Sequence, residues 1–159
     1  MKNSFKEQKI ELRKYESTDC QAVTALFYRT VHVINAKDYA KAQLDVWAPN
    51  QVDLKAWNQT LQRNYSLVAV IDQKIVGFGD ITQTGYLDHL FVHADYQRRG
   101  IATAICRCLE QVVENNITTQ ASITAKPFFE KRGYRVIKQQ QVKRQGILLT
   151  NFLMEKTNI

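Results

Sequence analysis

Within eight residues the chain carries four side chains able to hold or move a proton: Tyr86, Asp88, His89 and His93. Just downstream, Gln97-Arg98-Arg99-Gly100-Ile101-Ala102 joins two guanidinium groups to a small-residue turn. Proton chemistry and anion binding are therefore written next to each other. The run from Leu87 to Val92 is rich in β-favouring residues and predicts a strand. Beyond the turn, Ile101, Ile105, Cys108, Leu109, Val112 and Val113 recur at three- and four-residue steps, which predicts one apolar helical face down to Asn115-Asn116.

A chain that passes from strand through a tight turn into a helix leaves backbone N–H groups unpaired at the positive end of the helix dipole. Gly100 allows a ligand to approach that backbone, Ala102 keeps the first helical turn open, and Arg98 and Arg99 add charge, so the turn is a candidate anion site. Strand alternation places Tyr86, Asp88 and Leu90 on one face and Leu87, His89 and Phe91 on the other.

The order Gln97, two residues, Gly100, one residue, Ala102, preceded by Leu90-Phe91-Val92, resembles the acyl-CoA-binding signature of the GNAT superfamily of N-acetyltransferases. Ala125-Lys126-Pro127-Phe128-Phe129-Glu130-Lys131-Arg132-Gly133-Tyr134 resembles the short helix and glycine turn that follow in that family. The likeness spans roughly Leu67 to Met154. It implies an α/β (α+β) fold with a mixed, mainly antiparallel central sheet flanked by helices. It also implies acetyl-CoA as co-substrate, with the thioester arm along Leu90, Phe91 and Val92, the pyrophosphate on Gln97, Arg98, Arg99, Gly100, Ile101 and Ala102, and further contacts from Ser122, Phe128 and Phe129. No metal is expected.

The same resemblance points to Asp88 as the first choice of base and to Tyr86 beside it. A free aspartate titrates near ~3.9, so Asp88 has to be partly buried or act through water. His89 has the better intrinsic pKa but falls on the opposite face by alternation, and His32 and His93 stay open. Many family members have a tyrosine at the position of Phe129, placed to protonate the departing thiolate. Phenylalanine cannot do so, which leaves Tyr86, another hydroxyl or water for that role. The expected activity is direct acetyl transfer to a primary amine of a small molecule or peptide, and the alternative is a non-catalytic acyl-CoA-binding or regulatory module.

The remaining chain supplies the frame. Its 159 residues suggest a single domain, 1–159, with 45% hydrophobic residues and a net charge of +7. Residues 81–159 hold 11 basic and 6 acidic side chains, against 11 and 9 in residues 1–80. Arg98, Arg99, Arg107, Lys126, Lys131, Arg132 and Arg135 gather around the two motif segments, which favours a phosphorylated small molecule over nucleic acid, since no zinc-finger spacing or recognition helix is present. No run is long and apolar enough for a membrane span, and Met1-Lys2-Asn3-Ser4-Phe5-Lys6 lacks the apolar stretch of a signal peptide. Cys20, Cys106 and Cys108 do not form a disulfide or zinc pattern, with Cys108 on the apolar helical face. A cytoplasmic monomer or homodimer is expected, a dimer pairing through a basic sheet edge near the C-terminus.

In order, Ile10–Arg13 reads as a strand, and Ser17-Thr18-Asp19 as the cap of a helix through Val23, Leu26, Phe27, Thr30 and Val31. Asp38 to Gln62 reads as helical with a break near Pro49, the segment that in the family walls the acceptor site. Tyr28, His32, Tyr39, Trp47 and Trp57 are its candidate lining. Ser66–Ile71 and Ile75–Ile81 form a hairpin whose Gly77 and Gly79 permit bends or close backbone approach. Thr119–Ile123 predicts a strand, Thr124 a helix cap ahead of Pro127, and Tyr134–Ile137 and Gly146–Met154 a closing pair around a polar turn with Lys143-Arg144.

Overall fold

The structure, a computed structural model, describes residues 9–157, so the expectation for Met1–Lys6 lies outside the described residues. Strands β1 (Glu11–Lys14), β2 (Tyr65–Ile71), β3 (Lys74–Ile81), β4 (Tyr86–Val92), β5 (Ile117–Ser122), β6 (Arg135–Arg144) and β7 (Ile147–Lys156) form one sheet in the order β1-β2-β3-β4-β5-β7-β6. Every neighbouring pair is antiparallel except β4 and β5. Helices α1 (Cys20–Ile34), α2 (Lys41–Trp47) and α3 (Leu54–Arg63) pack on one face, and α4 (Ile101–Glu110) and α5 (Lys126–Lys131) on the other. This is the mixed, mainly antiparallel sheet with flanking helices that the sequence implied.

Each face has its own core. Val23, Leu26, Phe27, Thr30 and Val31 of α1 are buried as their spacing predicts, and pack with Val68 and Phe78 of the sheet. On the other face Ile101, Ile105, Cys106 and Leu109 of α4 are buried almost completely, and each such aliphatic side chain stabilises by about 1.5–3 kcal/mol. The helix lies this close because β3 presents glycines beneath it. A Cβ on Gly79 would stand 3.0 Å from both Ile105 Cγ2 and Leu109 Cδ1, and one on Gly77 would stand 2.9 Å from Ile101 Cγ2.

Three local expectations are corrected. Helix α4 ends at Glu110 rather than near Asn115, leaving Val112 exposed while Val113 is buried. The last helical residue, Glu110, reaches into a buried cluster: Arg132 and Tyr134 donate to its carboxylate, and Lys156 Nζ lies 3.3 Å away. Cys108 packs against the core in part, as its spacing predicts, and Cys106 beside it is fully buried. Lys143 and Arg144 belong to β6, whose turn into β7 is made by Gln145 and Gly146 instead. Thr124 does not cap α5, because its hydroxyl donates to Asp38 Oδ2 at 2.7 Å, and Ser122 Oγ accepts from the Ala125 N–H at 3.0 Å in its place. Among the described residues no helix is long and apolar enough to cross a membrane.

Candidate active site

The parallel pairing of β4 with β5 is short. Tyr86 faces Thr118 and Leu87 faces Thr119, and there the ladder stops. The physical cause is in β4. Against β3, His89 pairs with Asp80 and Leu87 with Ile81, so Asp88 is an extra residue, a β-bulge. A bulge bends its strand and increases the local twist, which carries the end of β4 away from β5. The two strands splay, and the edge of β4 from Asp88 to Val92 is left without a strand partner on that side.

The bulge also resets which side chains share a face. Leu87, Leu90 and Val92 pack toward α4, whereas Phe91 packs with the α1 core. Tyr86, Asp88, His89 and Phe91 all line one cleft of about 480 Å³. The alternation that set His89 opposite Asp88 is therefore wrong for this strand: His89 Nδ1 lies 3.6 Å from Asp88 Oδ2, at the head of the same cleft. Sequence reasoning ranked His89 below Asp88 for this reason, and it did not single out Asp80 at all.

Asp80 is 0% exposed. Its Oδ1 lies 2.8 Å from His89 Nδ1, and its Oδ2 accepts from Asn64 Nδ2 at 2.9 Å. The imidazole is boxed by Trp57 at 4.9 Å, Phe78 at 5.9 Å and Phe27 and Phe91 at 6.4 Å between ring centroids. Burial opposes charge on His89, but the hydrogen bond to Asp80 and the charges of Asp80 and Asp88 outweigh it and lift the imidazole above its ordinary value. Burial raises Asp88 too, aided by Asp80 and offset by His89, Arg63 and Arg144. The Tyr86 phenol is pushed up to about 12 by burial and by the two carboxylates, so it stays protonated at neutral pH and can donate a hydrogen bond.

The cleft wall comes from elements far apart in sequence. Trp47 of α2 and Trp57 of α3 contribute, as does Tyr39 before them, while Gln120 and Ser122 of β5 and Arg144, Leu149 and Asn151 of the last hairpin close the far side. Tyr39 stitches the wall: its hydroxyl donates to the Thr150 carbonyl at 2.6 Å and accepts from the Ile123 N–H at 2.9 Å. Two expected lining residues are elsewhere. Tyr28 and His32 stack on each other at 4.2 Å, and His32 Nε2 lies 2.8 Å from the Ala48 carbonyl, outside the cleft lining.

The basic turn sits at the far end of β4. Arg98, Arg99 and Gly100 are exposed there, and Arg98 and Gly100 adopt left-handed φ values of 63° and 80°. A Cβ on Gly100 would meet nothing within 4 Å, so the head of α4 is open for a ligand. Gln97 serves the turn from within, donating through Nε2 to the carbonyls of Val92 at 2.8 Å and His93 at 3.2 Å. Arg132 is turned inward to Glu110 and is withdrawn from any ligand. Phe129 is 4% exposed, with its ring 5.2 Å from Phe128 and 5.0 Å from Tyr134. Neither phenylalanine lines the cleft.

The sheet is thus split beside the Asp80–His89–Asp88 cluster, with an open helix head at the end of the same strand. The family model for the acetyltransferase (GNAT) domain matches residues 35–157, and the chain belongs to the GNAT superfamily of N-acetyltransferases. It is 39% identical over 145 residues to the protein named Uncharacterized N-acetyltransferase YafP of Escherichia coli K12, covering 91% of this chain and 94% of that one. A GCN5-related N-acetyltransferase structure from Rhodopseudomonas palustris is similar with a TM-score of 0.89 and 30% identity, over 92% of this chain and 94% of that chain. The fold is shared with the YncA acetyltransferase of Salmonella typhimurium, solved with acetyl-CoA, at a TM-score of 0.71 and 16% identity over 95% of each chain. The protein is thus an acetyltransferase enzyme, and a non-catalytic module is not favoured.

Proposed function

We propose that this enzyme uses acetyl-CoA to acetylate a primary amine of a small molecule or peptide, bound in the cleft walled by Trp47, Trp57 and Phe91. The observation that carries the reading is the split between β4 and β5 after the Leu87–Thr119 pair. It leaves strand-edge amides and carbonyls from Asp88 to Val92 between the cleft and the basic turn. Acetyl-CoA supplies an activated acetyl group as a thioester.

The residues fit such a molecule in three ways. The β4 backbone along Leu90, Phe91 and Val92 runs beside the split as an edge for an extended arm, with the Val92 carbonyl already taken by Thr30 and Gln97. The turn Gln97–Ala102, exposed at Arg98, Arg99 and Gly100 and open above Gly100, offers N–H groups and guanidiniums to phosphates. Backbone donors held by the sheet need little rearrangement as charge develops on a carbonyl oxygen. Ser122 lies in the cleft wall but already accepts from Ala125, so its part is to shape the wall and the start of α5. Phe128 and Phe129 support that side by packing.

At the cleft head, the Asp88 carboxylate draws in the ammonium of the acceptor and Tyr86 offers its phenolic hydrogen to the departing sulfur. The positive turn at one end and the carboxylate at the other sort the two substrates by charge. Titrating acetyl-CoA while following thermal unfolding tests the first half of this reading. Ligand at a hundred times its Kd adds about 2.7 kcal/mol, a rise of roughly 5–11 °C for a chain of this size. A rise produced by acetyl-CoA and CoA but not by inorganic phosphate supports the assignment, and no rise at saturation refutes it.

A further inference from the structure

We propose that His89, oriented by the buried carboxylate of Asp80, is the group that takes the proton from the acceptor amine, with Asp88 beside it as the anion that holds the ammonium. The inference rests on the acetyl-transfer reading and deepens it by naming the base.

The geometry makes the assignment. Asp80 is fixed from both sides, by Asn64 on Oδ2 and by His89 on Oδ1. An ionised carboxylate only accepts hydrogen bonds, so the proton of neutral His89 resides on Nδ1 and the lone pair on Nε2. Among the described residues no hydrogen bond to Nε2 is formed. The side chain keeps 19% exposure and lines the cleft, with Trp57, Phe78, Phe27 and Phe91 packed around the ring. A lone pair is thereby presented to the cleft in one orientation.

The chemistry favours the imidazole over the carboxylate. A primary ammonium of the lysine type titrates near ~10.4 and an aspartate near ~3.9, whereas a general base works best when its pKa lies near the operating pH. The charged groups that act on the ring are Asp80 from β3 and Asp88 from β4; Arg63 from α3 and Arg144 from β6 act on Asp88, and Tyr86 and Asp53 line the same cleft. From α1 the ring meets Phe27, which is apolar. In the step itself an N–H bond of the ammonium breaks, its electron pair stays on the amine nitrogen, and the proton forms the Nε2–H bond of His89. Asp80 and Asp88 stabilise the resulting imidazolium, which returns the proton to solvent through the cleft mouth.

The test has a spectroscopic arm and a kinetic arm. The chain has three histidines, so the Hε1 resonance of His89 can be assigned with H89Q and titrated. In Asp80→Asn the His89 pKa falls while that of His93, which Asp80 does not touch, stays in place. For kinetics, CoA release is measured with the fastest amine among 2-phenylethylamine, 1,4-diaminobutane and a peptide with a free N-terminus. H89Q lowers kcat about 100-fold and leaves the acetyl-CoA KM and the acetyl-CoA-induced rise in Tm as in the wild type. The wild-type kcat/KM climbs with pH through the pKa that NMR reads for His89, a comparison that requires no variant to fold. Turnover by H89Q at the wild-type rate, or a pH limb that departs from the NMR pKa, overturns the base assignment alone. Absence of amine-dependent CoA release from the wild type overturns the acetyl-transfer reading and this inference with it.

Discussion

Asp80 and His89 stand opposite each other in the β3–β4 ladder with Oδ1 and Nδ1 2.8 Å apart. The contact exists because Asp88 is inserted between His89 and Leu87 as a bulge. One extra residue accomplishes three things: it swings His89 into the cleft, it keeps Asp88 within 3.6 Å of the imidazole, and it ends the pairing with β5. The Asp80–His89–Asp88 cluster and the opening in the sheet both sit at this one bulge.

Gly100→Glu is expected to weaken acetyl-CoA binding by at least about tenfold. Gly100 is at φ 80° at the head of α4, where a side chain is strained and a carboxylate repels phosphate while favouring the same helix end that the ligand needs. Calorimetric titration of CoA checks it. Affinity equal to wild type would remove the turn from the binding site.

Gly79→Ala is expected to destabilise the fold by about 1–3 kcal/mol, the range for overpacking a filled core. The added carbon would lie 2.9 Å from the His89 carbonyl oxygen, which is fixed to its strand, and 3.0 Å from methyls of two fully buried α4 side chains. Urea unfolding at constant m measures the loss.

Glu110→Gln tests the buried cluster at the end of α4. Burial by itself would raise the Glu110 carboxyl, yet the hydrogen bonds from Arg132 and Tyr134 and the charges of Arg132 and Lys156 bring it below its ordinary value near 4.5. A depressed carboxyl stabilises the fold above the unfolded-state pKa and ceases to as pH falls through the folded-state value. Removing the charge strands Arg132, whose Nε is already buried without a partner among the described residues. The expected loss at pH 7 is about 3 kcal/mol, or a Tm lower by roughly 6–12 °C. The gap between wild type and variant closes below about pH 4, as Tm measured against pH will show.

Much of the fold was legible because it rests on local periodicity and turn chemistry. The β2–β3 hairpin, the strand into α4, the apolar stripe of α1 and the break between α2 and α3 all follow from residue spacing. The bulge was not legible: Tyr86-Leu87-Asp88-His89-Leu90 reads as plain alternation, and only pairing with β3 reveals the extra residue. The end of α4 was missed for a related reason, since Val112 and Val113 continue the apolar period while the backbone after Glu110 tightens into three-residue turns at Gln111 and Val112. Aromatic positions divided likewise. Trp47, Trp57 and Tyr39 reach the cleft, whereas Tyr28 and His32 satisfy each other, a distinction fixed by helix orientation.

Trp47→Ala is expected to raise the KM for the amine about tenfold with the acetyl-CoA KM unchanged. The indole lines the cleft and stands 5.3 Å from Tyr39 and 6.3 Å from Phe91, a cluster whose aromatic contacts contribute about 0.5–1.5 kcal/mol each beyond area. Steady-state kinetics with each substrate varied in turn separate the two constants. A rise confined to acetyl-CoA would move the acceptor out of this cleft.

Acetyl transfer to an amine is tested most directly by following CoA thiol release from acetyl-CoA in the presence of 2-phenylethylamine, 1,4-diaminobutane and a peptide with a free N-terminus, with mass spectrometry of the amine. The account predicts release that depends on enzyme and amine, matched by the gain of one acetyl group on nitrogen, and lost in Gly100→Glu at low acetyl-CoA. Thiol release that no amine accelerates, with every amine recovered unmodified, would contradict it.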